Sequence, residues 1–260
     1  MFKESLTELA NRYGSDKGTS GPSVAWGAHN YTDVYEGYLS KYRSSPTSIL
    51  EIGIGVTGKK WDAQVAHGRN QRGGASLMTW RDYFPNGEIY GIDVNDARHL
   101  EGDRLRTFVV DQGNIAEMKE FLGKFDGLEF DFIIDDGSHR PDHQQISFGL
   151  LFPRLKSEGV YFIEDLGDNG FGDGATGRHS SNLAHNTRKL LRAFRETGQF
   201  LEPNSLIDPD YLKEHIGQIA FHVPERFVAP RKTWDRLLGR KPLPIQYKQH
   251  TEKLCAIRKK

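Results

Sequence analysis

The sequence predicts an α/β fold: a doubly wound, mostly parallel sheet of seven strands, closed by an antiparallel strand. Three observations carry that expectation. Five apolar runs of strand length alternate with stretches of helical spacing, the order that builds a parallel sheet with covering helices. A glycine-rich turn follows the first run, and a carboxylate ends the second. Two more strand candidates stand near the end of the chain, placed to pair antiparallel at the sheet edge.

The elements follow in order. "MFKESLTELANRYGSDKG" reads as a short amphipathic helix and opens an N-terminal helical segment, residues 1–45, ahead of a domain over 46–260. The strands are "SILEIGI" (48–54), "EIYGIDV" (88–94), "LRTFVV" (105–110), "FDFIIDD" (130–136) and "GVYFIED" (159–165). Between them, Leu77, Trp80 and Phe84 mark one helix, and Ile115, Met118 and Leu122 behind a capping Asn114 mark the next. A third holds Ile146, Leu150 and Leu151 behind Pro141, which suits a first helical turn. A polar, Gly-rich segment leads to a helix around 182–197, then to "IGQIAFH" (216–222) and "KLCAIRK" (253–259). The basic, Pro-rich stretch between those two strands reads as a surface excursion.

At 260 residues, with no Pro/Ser/Gly-rich linker, the chain suits one large domain. Lys plus Arg number 35 and Asp plus Glu number 35, so no surface-wide charge draws phosphate backbones or anionic membranes. Nucleic acid and membrane are therefore not expected partners. The N-terminus does not read as a signal peptide and no apolar run approaches ~18 residues, so a cytoplasmic location is expected. The single cysteine, Cys255, lies in an alternating apolar pattern and reads as a buried hydrophobe.

In a doubly wound sheet, ligands sit beyond the carboxyl ends of the strands, where the strand order reverses. The turn after the first strand holds Gly53 and Gly55, which let backbone approach a ligand, and Gly73-Gly74-Ala75-Ser76 opens the following helix. Asp93, ending the second strand, stands where a carboxylate takes both hydroxyls of a ribose. It lies well beyond the spacing of about 20 residues of a dinucleotide-binding motif, so an insertion occupies the first turn.

"ILEIGIG" with Glu51, "IYGIDV" with Asp93 and "VVDQGN" with Asp111 resemble the S-adenosylmethionine (SAM) site of class I methyltransferases. The resemblance implies a Rossmann-like, seven-stranded sheet and a SAM cofactor. It places Gly53 and Gly55 against the methionine and ribose, Asp93 on the ribose hydroxyls, and Asp111 with Gln112 beside the adenine, with Glu51 and Ser76 also among the cofactor-binding residues. An NAD-type Rossmann domain is the competing reading; its GxGxxG is incomplete here, and the closing antiparallel pair is foreign to it.

Asp135 and Asp136 end the fourth strand, Glu164 and Asp165 the fifth, so both pairs emerge on one sheet edge beside the cofactor crevice. Gathered like charges need a cation or a shared proton. Carboxylate oxygens completed by water suit Mg²⁺ or another hard divalent ion, with Asp136, Glu164 and Asp165 as the expected ligands. Alternation turns Asp135 to the other face. Pairing of these acids with Arg140, Arg178 or Lys17, or helix capping, is the alternative use. His139, three residues past Asp136, is the expected general base. His143 stands within the first helical turn; His139 and His143 mimic a zinc-binding HxxxH pair, but its glutamate is missing and Pro141 intervenes.

"IIDDGSH" followed by "YFIEDL" resembles the metal-dependent sugar O-methyltransferases of antibiotic biosynthesis, the mycinamicin-type macrolide enzymes and the cephalosporin hydroxylase-like group. The resemblance implies metal ligation by Asp136, Glu164 and Asp165, base catalysis by His139, and a sugar hydroxyl of a glycosylated natural product as the acceptor. "YGSDKG" and "HNYTDVYE" add Tyr13, Asp16, Lys17, His29 and Tyr31 as a lid over SAM or substrate, with Tyr31 and Tyr35 equally suited to helix packing. The Gly-rich 167–181 segment is expected to close over the acceptor. A catechol-like or polyketide diol acceptor and a non-catalytic SAM-binding partner protein stay open as alternatives, and so does a homo-oligomer.

Overall fold

The computed structural model describes residues 4–20, 28–56, 72–166, 186–203, 205–225, 237–238 and 252–260. The 167–181 segment and nearly all of the Pro-rich excursion lie outside them. The strands are β1 (Ser48–Ile52), β2 (Glu88–Asp93), β3 (Leu105–Val109), β4 (Phe130–Asp135), β5 (Leu155–Ile163), β6 (Ile216–His222) and β7 (Leu254–Lys259). The helices are α1 (Leu6–Tyr13), α2 (Tyr31–Leu39), α3 (Ala75–Tyr83), α4 (Ile115–Gly123), α5 (Pro141–Leu151), α6 (Thr187–Thr197) and α7 (Pro209–His215).

The sheet runs β3-β2-β1-β4-β5-β7-β6, parallel from β3 through β5, with β7 antiparallel to both of its neighbours. Strand order therefore reverses between β1 and β4, and the carboxyl ends of those strands open the crevice expected of a doubly wound sheet. Local chemistry sets the helix ends as the sequence indicates: Asn114 caps α4 through the amides of Ala116 and Glu117, and Pro141 starts α5. Ser5 and Glu8 add a reciprocal capping box to α1.

Two differences from the sequence reading have physical causes. β5 begins at Leu155 rather than at 159: Lys156, Ser157 and Glu158 are polar, so no apolar run marks its first residues. α7 is short, and its start is marked by an Asp208 cap rather than by apolar periodicity.

Alternation along the strands divides the core into two layers. Leu50, Ile52, Ile133, Tyr161 and Ile163 face one layer with Phe121, Phe148 and Leu191 of α4, α5 and α6. Ile49, Phe132, Ile134, Val160 and Phe162 face the other, under Leu6 and Leu9 of α1, Tyr31 and Tyr35 of α2, and Leu77 and Trp80 of α3. The N-terminal helices thus share a core with the sheet. Cys255 is fully buried within β7.

Phe162 joins the two parts, packing edge-on against Tyr35 and Tyr38 at centroid distances of 4.7 and 5.4 Å. Phe162→Ala is expected to lower the free energy of unfolding by about 3–5 kcal/mol, read from urea denaturation.

Candidate active site

The layer that a strand residue faces decides which acids can meet. Ile134 and Phe162 face the α1–α3 layer, so Asp136 and Glu164, two residues on, return to it, and Glu51 lies on it two residues after Ile49. β1, β4 and β5 are adjacent, so three carboxylates converge at one corner of the crevice. Asp135 points to the opposite layer, as alternation predicts. There it accepts a hydrogen bond from Gln112 Nε2 at 2.7 Å, and burial raises its pKa to about 7.

The N-terminal segment supplies the cation that these acids require. Lys17 Nζ, only 3% exposed, pairs with Asp136 Oδ2, with Glu164 Oε2 at 2.9 Å and with Glu51 Oε1 at 3.5 Å. Burial opposes the Lys17 charge, but the three carboxylates outweigh it and raise its pKa well above the usual lysine value. Glu51 also accepts from Ser76 Oγ at 2.7 Å and Trp80 Nε1 at 3.2 Å, and its burial raises its pKa to about 7. Glu164 accepts from the Tyr35 hydroxyl; burial and then Asp136 push its pKa well up. Burial would raise Asp136 as well, but Lys17 and His139 hold it at about 2.

The turns beyond β4 and β5 close a second half of the cluster. His139, Asp165 and Asn30 adopt φ of 58°, 49° and 52°, the left-handed region that non-glycine residues seldom occupy. His139 Nε2 lies 3.1 Å from Asp136 Oδ1, and its Nδ1 lies 3.7 Å from Asp165 Oδ2. Burial lowers the His139 pKa, yet the hydrogen bond to Asp136 and the charges of Asp165, Asp136 and Asp135 lift it to about 9. Asp165 also meets His29 Nδ1 at 3.5 Å and accepts from the Tyr31 hydroxyl at 2.6 Å. Burial raises the Asp165 pKa, but His29 and His139 bring it well below the usual carboxylate range.

Asp136, His139 and Asp165 each offer one ligand atom, all within 4.8 Å of one another. Two are carboxylates and Glu164 adjoins Asp165, so the donor chemistry fits a hard divalent ion. Glu164 is turned to Lys17 and Tyr35.

A cleft of about 490 Å³ adjoins this cluster, lined by Gly53, Gly55, Gly74, Ser76, Asp93, Asp111, Gln112, Asp136 and His139 among others. Asp93 accepts from the amides of Ile54 (2.9 Å) and Asn95 (2.8 Å), which shapes the first turn around its carboxylate. Gln112 also accepts from Ser138 N at 3.0 Å, tying the third-strand turn to the fourth. Gly53 has φ 84°, and a Cβ there would stand 2.2 Å from the Asp136 carbonyl oxygen, so only glycine lets the β1 and β4 turns cross.

Of the residues expected at the cofactor, Glu51, Tyr13 and Tyr31 do not line the cleft. Glu51 lies beneath it against Ser76 and Lys17, the Tyr13 hydroxyl donates to Asp82 on α3, and the Tyr31 hydroxyl donates to Asp165. Asp16 and Lys17 of the expected lid do line it, and so does His143, for which the sequence indicates no role there and which makes a 2.9 Å contact with Ser138 Oγ. For Tyr35, the helical i, i+4 spacing from Tyr31 is the available signal, since it sets both hydroxyls on one side of α2.

No family model matches the chain. Demethylmacrocin O-methyltransferase of Streptomyces fradiae is 33% identical over 226 residues, 85% of this chain and 51% of that protein. Mycinamicin VI 2''-O-methyltransferase of Micromonospora griseorubida is 33% identical over 225 residues, again 85% and 51%. Among solved structures, the MycE methyltransferase of the mycinamycin biosynthetic pathway, in complex with Mg and SAH, superposes with a TM-score of 0.67 at 26% identity, covering 99% of this chain and 55% of that one. The chain thus spans about half the length of the curated relatives it matches.

Gly53→Ala is expected to cost about 1–2 kcal/mol through its left-handed backbone alone, with the contact on Asp136 added, and to appear as a clear fall in melting temperature.

Proposed function

We propose that this chain, a relative of the sugar O-methyltransferases of antibiotic biosynthesis built on the class I methyltransferase fold, moves a methyl group from SAM to a sugar hydroxyl of a natural product, with Mg²⁺ as cofactor. The observation that carries the reading is the turn from Asp136 to His139, which lines the cleft on one side and belongs to the acid cluster on the other. A cofactor in the cleft and a metal at the cluster would both lie against that turn. The same three kinds of ligand occur together in MycE, which has been solved in complex with Mg, SAH and mycinamycin VI.

Gly53 and Gly55 line the cleft without side chains, and Asp93, at the end of β2, would take the ribose hydroxyls. Asp111 and Gln112, at the third turn, would border the adenine. Asp136 and Asp165 would hold the metal, with Glu164 as the third carboxylate of the set. When bound, Mg²⁺ acts as a Lewis acid that orients two neighbouring acceptor hydroxyls and lowers the pKa of the reacting one. His139 takes the proton. Its Nε2–H, donated to Asp136 Oδ1, fixes the tautomer and leaves Nδ1 as the accepting atom. Tyr31 and His29 hold Asp165 in position from the N-terminal segment.

His139 must be neutral to act as a base, yet without a metal the surrounding acids keep it protonated up to about pH 9. With a divalent ion held by Asp136 and Asp165, those charges would be offset, His139 would lose the support that keeps it protonated, and its Nδ1 would be free to accept a proton. Metal affinity is expected to rise with pH and to level off above about pH 9, as measured by calorimetry across pH.

Labelled SAM offered with a panel of glycosylated macrolides and of catechols is expected to methylate the sugar-bearing acceptors only. EDTA should stop the transfer and Mg²⁺ restore it; methylation of catechols alone, or full activity in EDTA, would overturn the reading. His139→Ala is expected to lower kcat by about 10²-fold or more while leaving SAM binding within a few-fold of wild type.

A further inference from the structure

The acid cluster already holds a cation of its own. Lys17 Nζ lies within 3.5 Å of Glu51, Asp136 and Glu164, carboxylates from three adjacent strand ends, and its side chain is almost wholly withdrawn from water. A buried ammonium is stable only while its partners stay charged and close. Those partners are unequally committed. Glu51 has Ser76 and Trp80 as further donors, and its contact with Lys17 is the longest of the three. Asp136 divides its oxygens, Oδ2 to Lys17 and Oδ1 to His139, and Glu164 presents Oε2 to Lys17 and Oε1 to Tyr35.

Asp136 and Glu164 belong to the carboxylate set that would hold the metal. We propose that Lys17 is a built-in counter-cation that neutralises the cluster in the metal-free protein and competes with the divalent ion for Asp136 and Glu164, so setting the affinity of the site. The inference rests on the metal reading above. Two cations sharing one carboxylate repel each other, so an ion that takes Asp136 and Glu164 does so at the expense of the ammonium.

The backbone around Lys17 extends this competition to the N-terminal segment. The amides of His29, Asn30 and Thr32 donate to the carbonyls of Asp16, Gly18 and Lys17 at 2.7, 2.9 and 3.0 Å. Residues 16–18 and 29–32 are therefore one hydrogen-bonded unit. It carries Lys17 to the first half of the cluster, and His29 and Tyr31 to Asp165 in the second. When metal loosens Lys17, the same unit loosens with it.

The test uses the full chain with Mn²⁺ as the probe, free ion being counted by electron paramagnetic resonance. Lys17→Met is expected to bind Mn²⁺ at least about tenfold more tightly than wild type, and Lys17→Arg to stay near wild type. The metal-free melting temperature of Lys17→Met should fall, and its rise on adding Mn²⁺ should exceed that of wild type. If Lys17→Met does not fold, amide hydrogen exchange of wild type decides: the amides of His29, Asn30 and Thr32 should exchange faster with Mg²⁺ present. Equal or weaker Mn²⁺ binding by Lys17→Met, or unchanged or slower exchange in wild type, would overturn the inference while leaving the proposed function intact. Absence of Mn²⁺ binding to wild type would remove both.

Discussion

Buried like charges are the constraint on which the site is built. Glu51, Asp136, Glu164 and Asp165 meet at the carboxyl ends of three neighbouring strands, where repulsion would drive them apart unless bound protons or positive charge from elsewhere relieved it. The sheet does not provide that charge. Lys17 comes from the segment ahead of β1, which also brings His29 beside Asp165, and His139 comes from a turn whose backbone is held at positive φ. The packing of α1 and α2 on the sheet and the strained turns at His139 and Asp165 both serve this neutralisation. Phe162 and Trp80 provide apolar cover for the segment, and the acids bind its polar atoms.

The cofactor cleft and the acid cluster are two halves of one structure. Gly53 lets β1 pass close over Asp136 and Gly137, and Gln112 joins Asp135 beneath the sheet end to Ser138 above it. The turn after β3 and the turn that carries His139 are thus tied together by one buried amide side chain.

Much of this was legible in the sequence because strands carry their own signal. The apolar runs located β1 to β4 and the closing pair, and alternation alone separated Asp135 from Asp136. Gly53, Gly55, Asp93, Asp111 and Gln112 fell on the cleft because each ends or follows a strand of the parallel core. What the sequence left open depends on contacts between distant segments. Lys17 was one of three cations the sequence offered to these acids, but it stands 119 residues from Asp136, and no local pattern tells a lysine that will be buried from one that will be solvated. Tyr13 and Tyr31 were expected in a lid over SAM or substrate, with Tyr31 equally suited to helix packing; the docking of α1 on α3 turns the first hydroxyl to Asp82, and the seat of α2 turns the second to Asp165. The early start of β5 was masked by three polar residues that alternation cannot place.

The order of the last strands bears on how the sheet is completed. β6 touches the sheet only through β7, which is inserted between β5 and β6. β7 must close a loop of about ninety residues to reach β5, an entropic cost that a lone six-residue strand repays poorly. β6 and β7 pair with each other across a connection of only about thirty residues, so the shorter closure lies within the antiparallel pair. β7 is also what covers the β5 edge: without it, the backbone from Val160 to Ile163 would present unpaired groups to other chains.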